Sequence, residues 1–217
     1  MKSYQQYCSV ARALDSVGDR WVLLIVRELL AFGPSRYSDL KRGLPGIATN
    51  LLAERLKAME ADGLVEHREA PAPIGSRVYQ LTERGRDLED VVRALSRWSL
   101  PAMPSGPRPA DAVQPQWIAL LAGLNLAGNV APGAELVLLI DTGDAPVRAR
   151  LRNDGFGIDR LSGDGEDVAL RGDAVLVGGL LTGLLSVEQA TELGLTITGH
   201  VDQLNDLIAA TQAGATA

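Results

Sequence analysis

The residue nearest to a catalytic signal is Asp141, in the run Leu139-Ile140-Asp141-Thr142-Gly143. A carboxylate on such a turn can share a proton with a second carboxylate and activate water for hydrolysis. The second one would have to come from another copy of the chain, and the apolar-apolar-Gly-Arg segment that accompanies such a site in dimeric peptidases is missing. Asp and Gly also satisfy an ordinary hairpin turn. His67 and His200 are far apart, and no His pair has metal-ligand spacing. Asp159, Asp164 and Asp167 lack the spacing of a calcium loop, and no glycine-rich phosphate cradle occurs. No catalytic residue, metal or cofactor is therefore assigned, and the chain does not read as an enzyme.

Residues suited to recognition are better represented. Asn50, Ala53, Glu54 and Lys57 fall on one face of a helical repeat that begins at Thr49. Asn can bond adenine bidentately. Arg68 and Arg77 flank a proline-rich tip, where they could touch phosphate or enter the minor groove. Polar side chains at these positions are equally what a solvated helix face or a charged strand edge requires. Cys8 is the single cysteine, which excludes an internal disulfide and a cysteine-based metal cluster. Arg12 and Arg20, folded close, would favour its thiolate and make it a redox-sensing candidate. A buried thiol would instead be inert.

Two modules share the chain. Residues 1–110 carry 16 Lys and Arg against 13 Asp and Glu, whereas residues 111–217 carry 5 against 14, so only the first module suits phosphate despite an overall charge of −6. Pro101, Pro104, Pro107, Pro109 and Pro115 mark a semi-extended linker between them. The N-terminus has no apolar signal segment. The longest nearly apolar run, Ala174 to Leu185, is too short to span a bilayer. The expectation is a cytoplasmic protein with no membrane association.

The recognition residues need elements to hold them. Asp19 can cap a helix to about Ala31, with Val22, Ile25, Val26 and Leu29 at helical spacing and Gly33-Pro34 as the stop. Ser38 to Arg42 is a short helix with Tyr37 as a staple before it, and Leu44-Pro45-Gly46 turns the chain. Thr49 to Ala61 forms the next helix, with Leu52, Leu56 and Met59 toward the core and Asp62-Gly63 at its end. Leu64 to Arg68 and Arg77 to Leu81 read as strands around a tip at residues 70–75. That order is a winged helix-turn-helix, which places one helix in the DNA major groove. A further helix after Thr82-Glu83-Arg84-Gly85 carries Leu88, Val91, Val92, Leu95 and Trp98 on one stripe. No helix in the module is left to cover that stripe fully, so a homodimer is expected, with two recognition helices for two half-sites.

Cys8-Ser9-Val10, Asp19-Arg20-Trp21, Arg36-Tyr37-Ser38-Asp39-Leu40, Leu44-Pro45-Gly46-Ile47, Leu52-x-x-Arg55-Leu56, Asp62-Gly63-Leu64-Val65 and Tyr79-x-Leu81-Thr82-x-x-Gly85 together resemble the HxlR-type regulators, cousins of the MarR family. The resemblance covers about residues 5–100. It implies a dimeric winged-helix transcription factor, acting as repressor or activator; the partner expected is a double-stranded DNA operator, and the residues expected to contact it are Arg36, Thr49, Asn50, Ala53, Glu54, Lys57, Arg68 and Arg77. Some relatives use a cysteine at the position of Cys8 as an oxidation or electrophile sensor. Ala48 departs from the family, which often has Ser there, and a lost N-cap oxygen costs ~1 kcal/mol unless Thr49 takes over. Glu54 puts a negative charge on the DNA-facing side, so base selection is expected to differ from relatives.

The second module reads as a helix from Gln116 to Leu126, then a buried strand Leu136 to Ile140. An alternating strand Val147 to Arg152 follows, with its arginines outward, and turns lie at Asn153-Asp154-Gly155 and Gly163-Asp164-Gly165. Strands at Phe156 to Ile158 and Asp167 to Leu170 come next. Asp173 caps an apolar helix to about Leu185, and Ser186 caps another to Leu193. A strand Thr196 to Thr198 and a closing helix from Val201 complete it. Arg171-Gly172-Asp173, Leu180-Leu181-Thr182-Gly183-Leu184-Leu185, Gln189-Ala190 and Gly194-Leu195-Thr196-Ile197-Thr198-Gly199 resemble the sterol-carrier-protein-type domain, over roughly residues 115–210. His200 stands where that family often has Asp or Asn. The resemblance implies an apolar tunnel for a hydrophobic small molecule, with Phe156, Val177, Leu180, Leu181, Leu184 and Leu185 as its lining. Gly178, Gly179 and Gly183 would leave the gaps such a pocket needs, and close helix-to-sheet packing without a cavity is the alternative.

The expected fold class is α+β. Residues 1–100 form a winged helix-turn-helix domain, residues 101–115 a linker, and residues 116–217 a smaller α+β domain of sterol-carrier type. The expected function is ligand-responsive transcriptional regulation, the alternative being an accessory second domain that never controls DNA affinity.

Overall fold

The structure, a computed structural model, describes residues 3–69, 77–103, 106–143, 145–160 and 165–215. Contacts divide the chain into two units, residues 1–95 and 96–217.

In chain order, the elements from the N-terminus are α1 (Ser9–Val17), α2 (Val22–Phe32), β1 (Ser35–Arg36), α3 (Tyr37–Gly43), α4 (Thr49–Ala61), β2 (Val65–Glu69), β3 (Arg77–Leu81), α5 (Glu83–Arg86) and α6 (Leu88–Ser99). The division between units falls within α6. The three strands form an antiparallel sheet in the order β1-β3-β2. Helix α2 is central because it is apolar around most of its circumference. Its Val22, Ile25, Val26 and Leu29 are buried together with Leu40, Leu44, Leu52, Leu56, Met59 and Leu81. Helices α3 and α4 make the helix-turn-helix, and β2 and β3 make the wing. The wing tip expected at residues 70–75 lies outside the described residues.

Several local expectations are corrected. Asp19 does not cap α2. Trp21 occupies the cap position without a side-chain bond, and Asp19 turns to Arg55 on α4 at 3.1 Å. Tyr37 starts α3 rather than preceding it. The stretch after β3 is broken into α5 and α6. Thr82 caps α5 by accepting the Gly85 N–H at 3.0 Å. Gly85 is fixed by close approach, since a Cβ there would lie 2.0 Å from the Leu64 carbonyl oxygen.

In the second unit, α7 (Pro115–Leu126) precedes β4 (Glu135–Asp141), β5 (Val147–Arg152), β6 (Gly155–Arg160) and β7 (Val168–Arg171). Then come α8 (Ala174–Leu181), α9 (Val187–Glu192), β8 (Thr196–Gly199) and α10 (Val201–Ala215). The sheet order is β6-β5-β4-β7-β8, with β4 and β7 parallel and all other neighbours antiparallel. Strand β4 sits in the middle, and Leu136 to Ile140 are all buried, as a near-continuous apolar run requires. Helix α7 packs on β4, β5 and β6 and against α8.

Here too the chain departs from expectation. Arg148 does not point outward. It is 3% exposed, and its charge is tolerated because Glu166 pairs with it at 3.2 Å. Helix α8 stops at Leu181 rather than Leu185. The Thr182 hydroxyl donates back to the Gly178 carbonyl at 2.8 Å, and Gly183 adopts φ +72°, a left-handed conformation open to glycine. The N–H groups of Leu184 and Leu185 then turn back to the Gly179 carbonyl. Asp173 caps α8 through the Val175 N–H at 2.7 Å, and Ser186 with Gln189 forms a capping box on α9. Of the turn expected at Gly163-Asp164-Gly165, the first two residues lie outside the described residues. No helix among the described residues is long and apolar enough to cross a membrane.

Candidate nucleic-acid interface

The position of α4 is set from below by α3. The Tyr37 hydroxyl donates to the Thr49 carbonyl, and the Lys41 ammonium donates to the Ile47 carbonyl. Both bonds clamp the turn that aims α4. Ala48 is the N-cap residue and offers no side-chain oxygen. Asn50 compensates in part, because its Oδ1 accepts the Leu51 N–H at 3.0 Å, one of the free donors of the first turn. Leu52, Leu56 and Met59 are buried, while Thr49, Asn50, Ala53, Glu54 and Lys57 are all exposed. One helix face therefore holds α4 to the core and the other is open. At the far end Glu60 contacts Nδ1 of His67 on β2, and the His67 ring lies 6.2 Å from Tyr79. These contacts connect the end of α4 to the wing.

The wing arginines differ in direction. Arg68 pairs with Val78 and Glu69 pairs with Arg77. Side chains alternate along a strand, so Arg68 and Arg77 stand on opposite faces of the hairpin. Arg36 on β1 also pairs with Val78. Arg36, Val78 and Arg68 thus form one row across the sheet, with the two arginine backbones about 10 Å apart, twice the strand spacing. Arg36, Arg68 and Arg77 are all exposed. That row was not legible from sequence, because it depends on β1, a two-residue strand with no period of its own.

Cys8 is exposed at the start of α1. Backbone N–H groups of Ala11 and then Val10 hold its thiol below the ordinary cysteine pKa. The arginines expected to do so are engaged elsewhere: Arg20 lies over the Trp21 ring at 5.9 Å, and Arg12 faces Asp15 at 3.9 Å. Asp15 is itself held below the usual carboxylate range, first by the Tyr4 N–H and then by the Ser3 hydroxyl. Neither α1 nor this N-terminal fold-back was anticipated.

In the second unit Val177, Leu180 and Leu181 are fully buried. Phe156 is half-buried with its ring where a side chain at Gly123 would stand, and Leu185 fills the space beside Gly179. Leu184 is turned to solvent, because α8 ends before it. The gaps left by Gly123 and Gly179 are thus occupied by the chain's own side chains. Two surface clefts in this unit, of about 330 and 270 Å³, are lined by other residues. Asp141 closes its own turn, its carboxylate accepting the Gly143 N–H at 3.1 Å. No cluster of His, Cys, Asp and Glu able to hold a metal occurs among the described residues.

Comparison with known proteins concerns the first unit. The HxlR-like helix-turn-helix family model matches residues 16–105. The HTH-type transcriptional regulator YvaP of Bacillus subtilis is 35% identical over 88 residues, 41% of this chain and 81% of that protein. YodB, an HTH-type transcriptional regulator of the same organism, is 34% identical over 87 residues, 40% of this chain and 77% of that protein. The HTH-type transcriptional regulator Rv3095 of Mycobacterium tuberculosis is 41% identical over 102 residues, 46% of this chain and 63% of that protein.

Proposed function

The chain belongs to the HxlR-like helix-turn-helix family, and from that premise we propose that it is a homodimeric transcriptional regulator whose α4 face reads the major groove of an operator. Thr49, Asn50, Ala53, Glu54 and Lys57 make up the reading face, while Arg36, Arg68 and Arg77 hold the sheet and wing to the phosphate backbone. The observation that carries this reading is the division of α4 into one buried and one open face, with every polar candidate on the open one. The dimer is supported by α6, on which Val91, Leu95 and Trp98 are exposed apolar residues. Two recognition helices on one symmetry axis then meet two half-sites.

The second unit is assigned the sterol-carrier type on its element order and on the apolar seam between α7, α8 and the sheet. Its ligand is a hydrophobic small molecule that reaches this seam when Phe156 and Leu185 change rotamer, since side chains rather than backbone fill the gaps over Gly123 and Gly179. Such a ligand regulates only if it binds the DNA-competent and incompetent states unequally. The close packing of that seam favours a second reading, in which the unit is an accessory that leaves DNA affinity alone. Cys8, with its thiolate-favouring position, is the candidate for redox sensing.

The test is DNA affinity across salt and sequence. Asn50→Ala relaxes base preference at one position, whereas Arg77→Ala weakens all DNA about equally and flattens the dependence of log affinity on log salt by ~1 per subunit. Equal effects of both on every sequence would remove the base-contact assignment. Operator affinity measured with and without an extractable apolar ligand, at fixed salt, separates regulator from accessory.

A further inference from the structure

The open face of α4 contains a carboxylate, Glu54, where a polyanion must approach. Its side chain is 69% exposed and is held at one side only: Arg55 Nη1 donates to Glu54 Oε1 at 3.2 Å. The same Nη1 contacts Asp19 Oδ2 at 3.1 Å. Arg55 is 18% exposed, and its Nε is buried without a hydrogen-bond partner in the structure. Its guanidinium is held between Asp19, in the chain just before α2, and Glu54. Asp19 therefore fixes Arg55, and Arg55 fixes one oxygen of Glu54, leaving the other carboxylate oxygen open on the reading face.

A carboxylate accepts hydrogen bonds and donates none when ionised. Beside the phosphates it would be repelled, so its place is over base edges, where donors exist. In the major groove guanine offers two acceptors and thymine one acceptor and a methyl group. Adenine offers a donor, but with the N7 acceptor beside it. Cytosine offers only its N4 amino group. Lys57, three residues on and exposed on the same face, suits the acceptors of the guanine paired with it.

We propose that Glu54 is a specificity-determining residue that accepts a hydrogen bond from the amino group of a cytosine in each half-site, and that Arg55, anchored by Asp19, is its positioning residue. This rests on the DNA-reading assignment of α4 and names the base it selects.

The experiment is selection of operator sequences from a random duplex pool by the full-length chain, repeated with Glu54→Gln, Arg55→Lys and Asp19→Asn. The wild type is expected to enrich a C·G pair at one fixed position per half-site. Glu54→Gln, on an exposed side chain, redirects that position to adenine, which Gln bonds bidentately, and lowers the preference for cytosine about 5- to 100-fold. Arg55→Lys and Asp19→Asn blur that position alone, with non-specific affinity and its salt slope unchanged. An unchanged sequence preference for Glu54→Gln overturns the assignment, as does a wild-type preference for another base at the position Glu54→Gln affects. Loss of preference at all positions together in Arg55→Lys would make Arg55 merely structural. A wild type that enriches no sequence refutes the DNA-reading assignment itself, an outcome distinct from the other three.

Discussion

Removing the Trp98 indole should dissolve the proposed dimer while leaving the monomer folded. Trp98 is 81% exposed, and Leu95 and Val91 on the same stripe are 45% and 41% exposed. A tryptophan side chain presents up to ~250 Å², so about 200 Å² of Trp98 is open to a partner. At ~25 cal/mol per Å², complete coverage is worth ~5 kcal/mol. Imperfect coverage and the ordering cost of the interface reduce this to about 2–3 kcal/mol per subunit. A two-fold interface contains the residue twice. Trp98→Ala therefore costs about 5 kcal/mol per dimer, which raises the dimer dissociation constant by three to four orders of magnitude. Sedimentation equilibrium across a wide concentration range measures that constant directly. A melting curve guards against trivial unfolding; it should stay within a degree or two, because the indole is not part of the core. Operator affinity should fall with the dimer, since a single recognition helix meets a single half-site. A dissociation constant within three-fold of wild type would refute the reasoning and remove α6 from the interface.

Three further outcomes follow from local geometry. Cys8 should alkylate faster than a free thiol at neutral pH, with its pH midpoint below the ordinary cysteine value, because N–H groups of Ala11 and Val10 favour the thiolate; an ordinary midpoint by iodoacetamide rates sinks this. Gly85→Ala should destabilise the first unit by ~1–3 kcal/mol, because the new methyl group meets the Leu64 carbonyl oxygen at 2.0 Å; an unchanged urea midpoint would falsify it. The contact of the N-terminal segment with α1 should be present at neutral pH and disappear in acid. Asp15 has a folded pKa below its unfolded value, so its contribution is complete above that unfolded value and is lost as pH falls through the folded one. The protection factor of the Tyr4 amide, its exchange relative to an unprotected amide at the same pH, should be high at neutral pH and fall toward one in acid; a protection factor that does not change with pH contradicts it.

What could be read from sequence and what could not divides along the distance between interacting residues. The bounds of α4 were legible because Leu52, Leu56 and Met59 repeat at helical spacing and Gly63, with φ +67°, can end the helix in the left-handed region. Its open face followed from the same period. Local rules make Asp19 a cap, whereas its partner Arg55 is 36 residues away and enters only through the fold. Arg148 departs for the same reason: alternation in β5 predicts an exposed arginine, whereas the side chain is buried where it pairs with Glu166, 18 residues on. Direction within the wing required the pairing register, which put Arg68 beside Arg36 and Arg77 on the opposite face. Composition likewise suggests gaps around the glycines of α8, but a gap is a property of what stands opposite: Leu185 stands opposite Gly179 and Gln212 opposite Gly183, whereas nothing lies within 4 Å of a Cβ at Gly178.

These non-local pairs bear on function more than the periodic ones do. The period of α4 says only that some face is open. On the proposed reading, which base that face selects depends on how Glu54 is held, and that depends on an aspartate outside the helix. The Asp19–Arg55 pair connects the start of the central helix α2 to the middle of the reading helix. Any shift of α2 relative to α4 must either break that pair or carry the Glu54 carboxylate with it. Breaking it would leave the half-buried Arg55 guanidinium with Glu54 as its remaining carboxylate partner, so a shift of α2 that keeps the pair carries the carboxylate with it. Base selection at that position is thereby coupled to the packing of the first unit. A change that loosens the core shared by α2 and α4 without altering the open face of α4, such as Val26→Ala, should broaden the cytosine position before it lowers overall DNA affinity. Operator selection by that variant separates the two effects: a uniform loss of affinity with the cytosine preference intact would break the link between core and base.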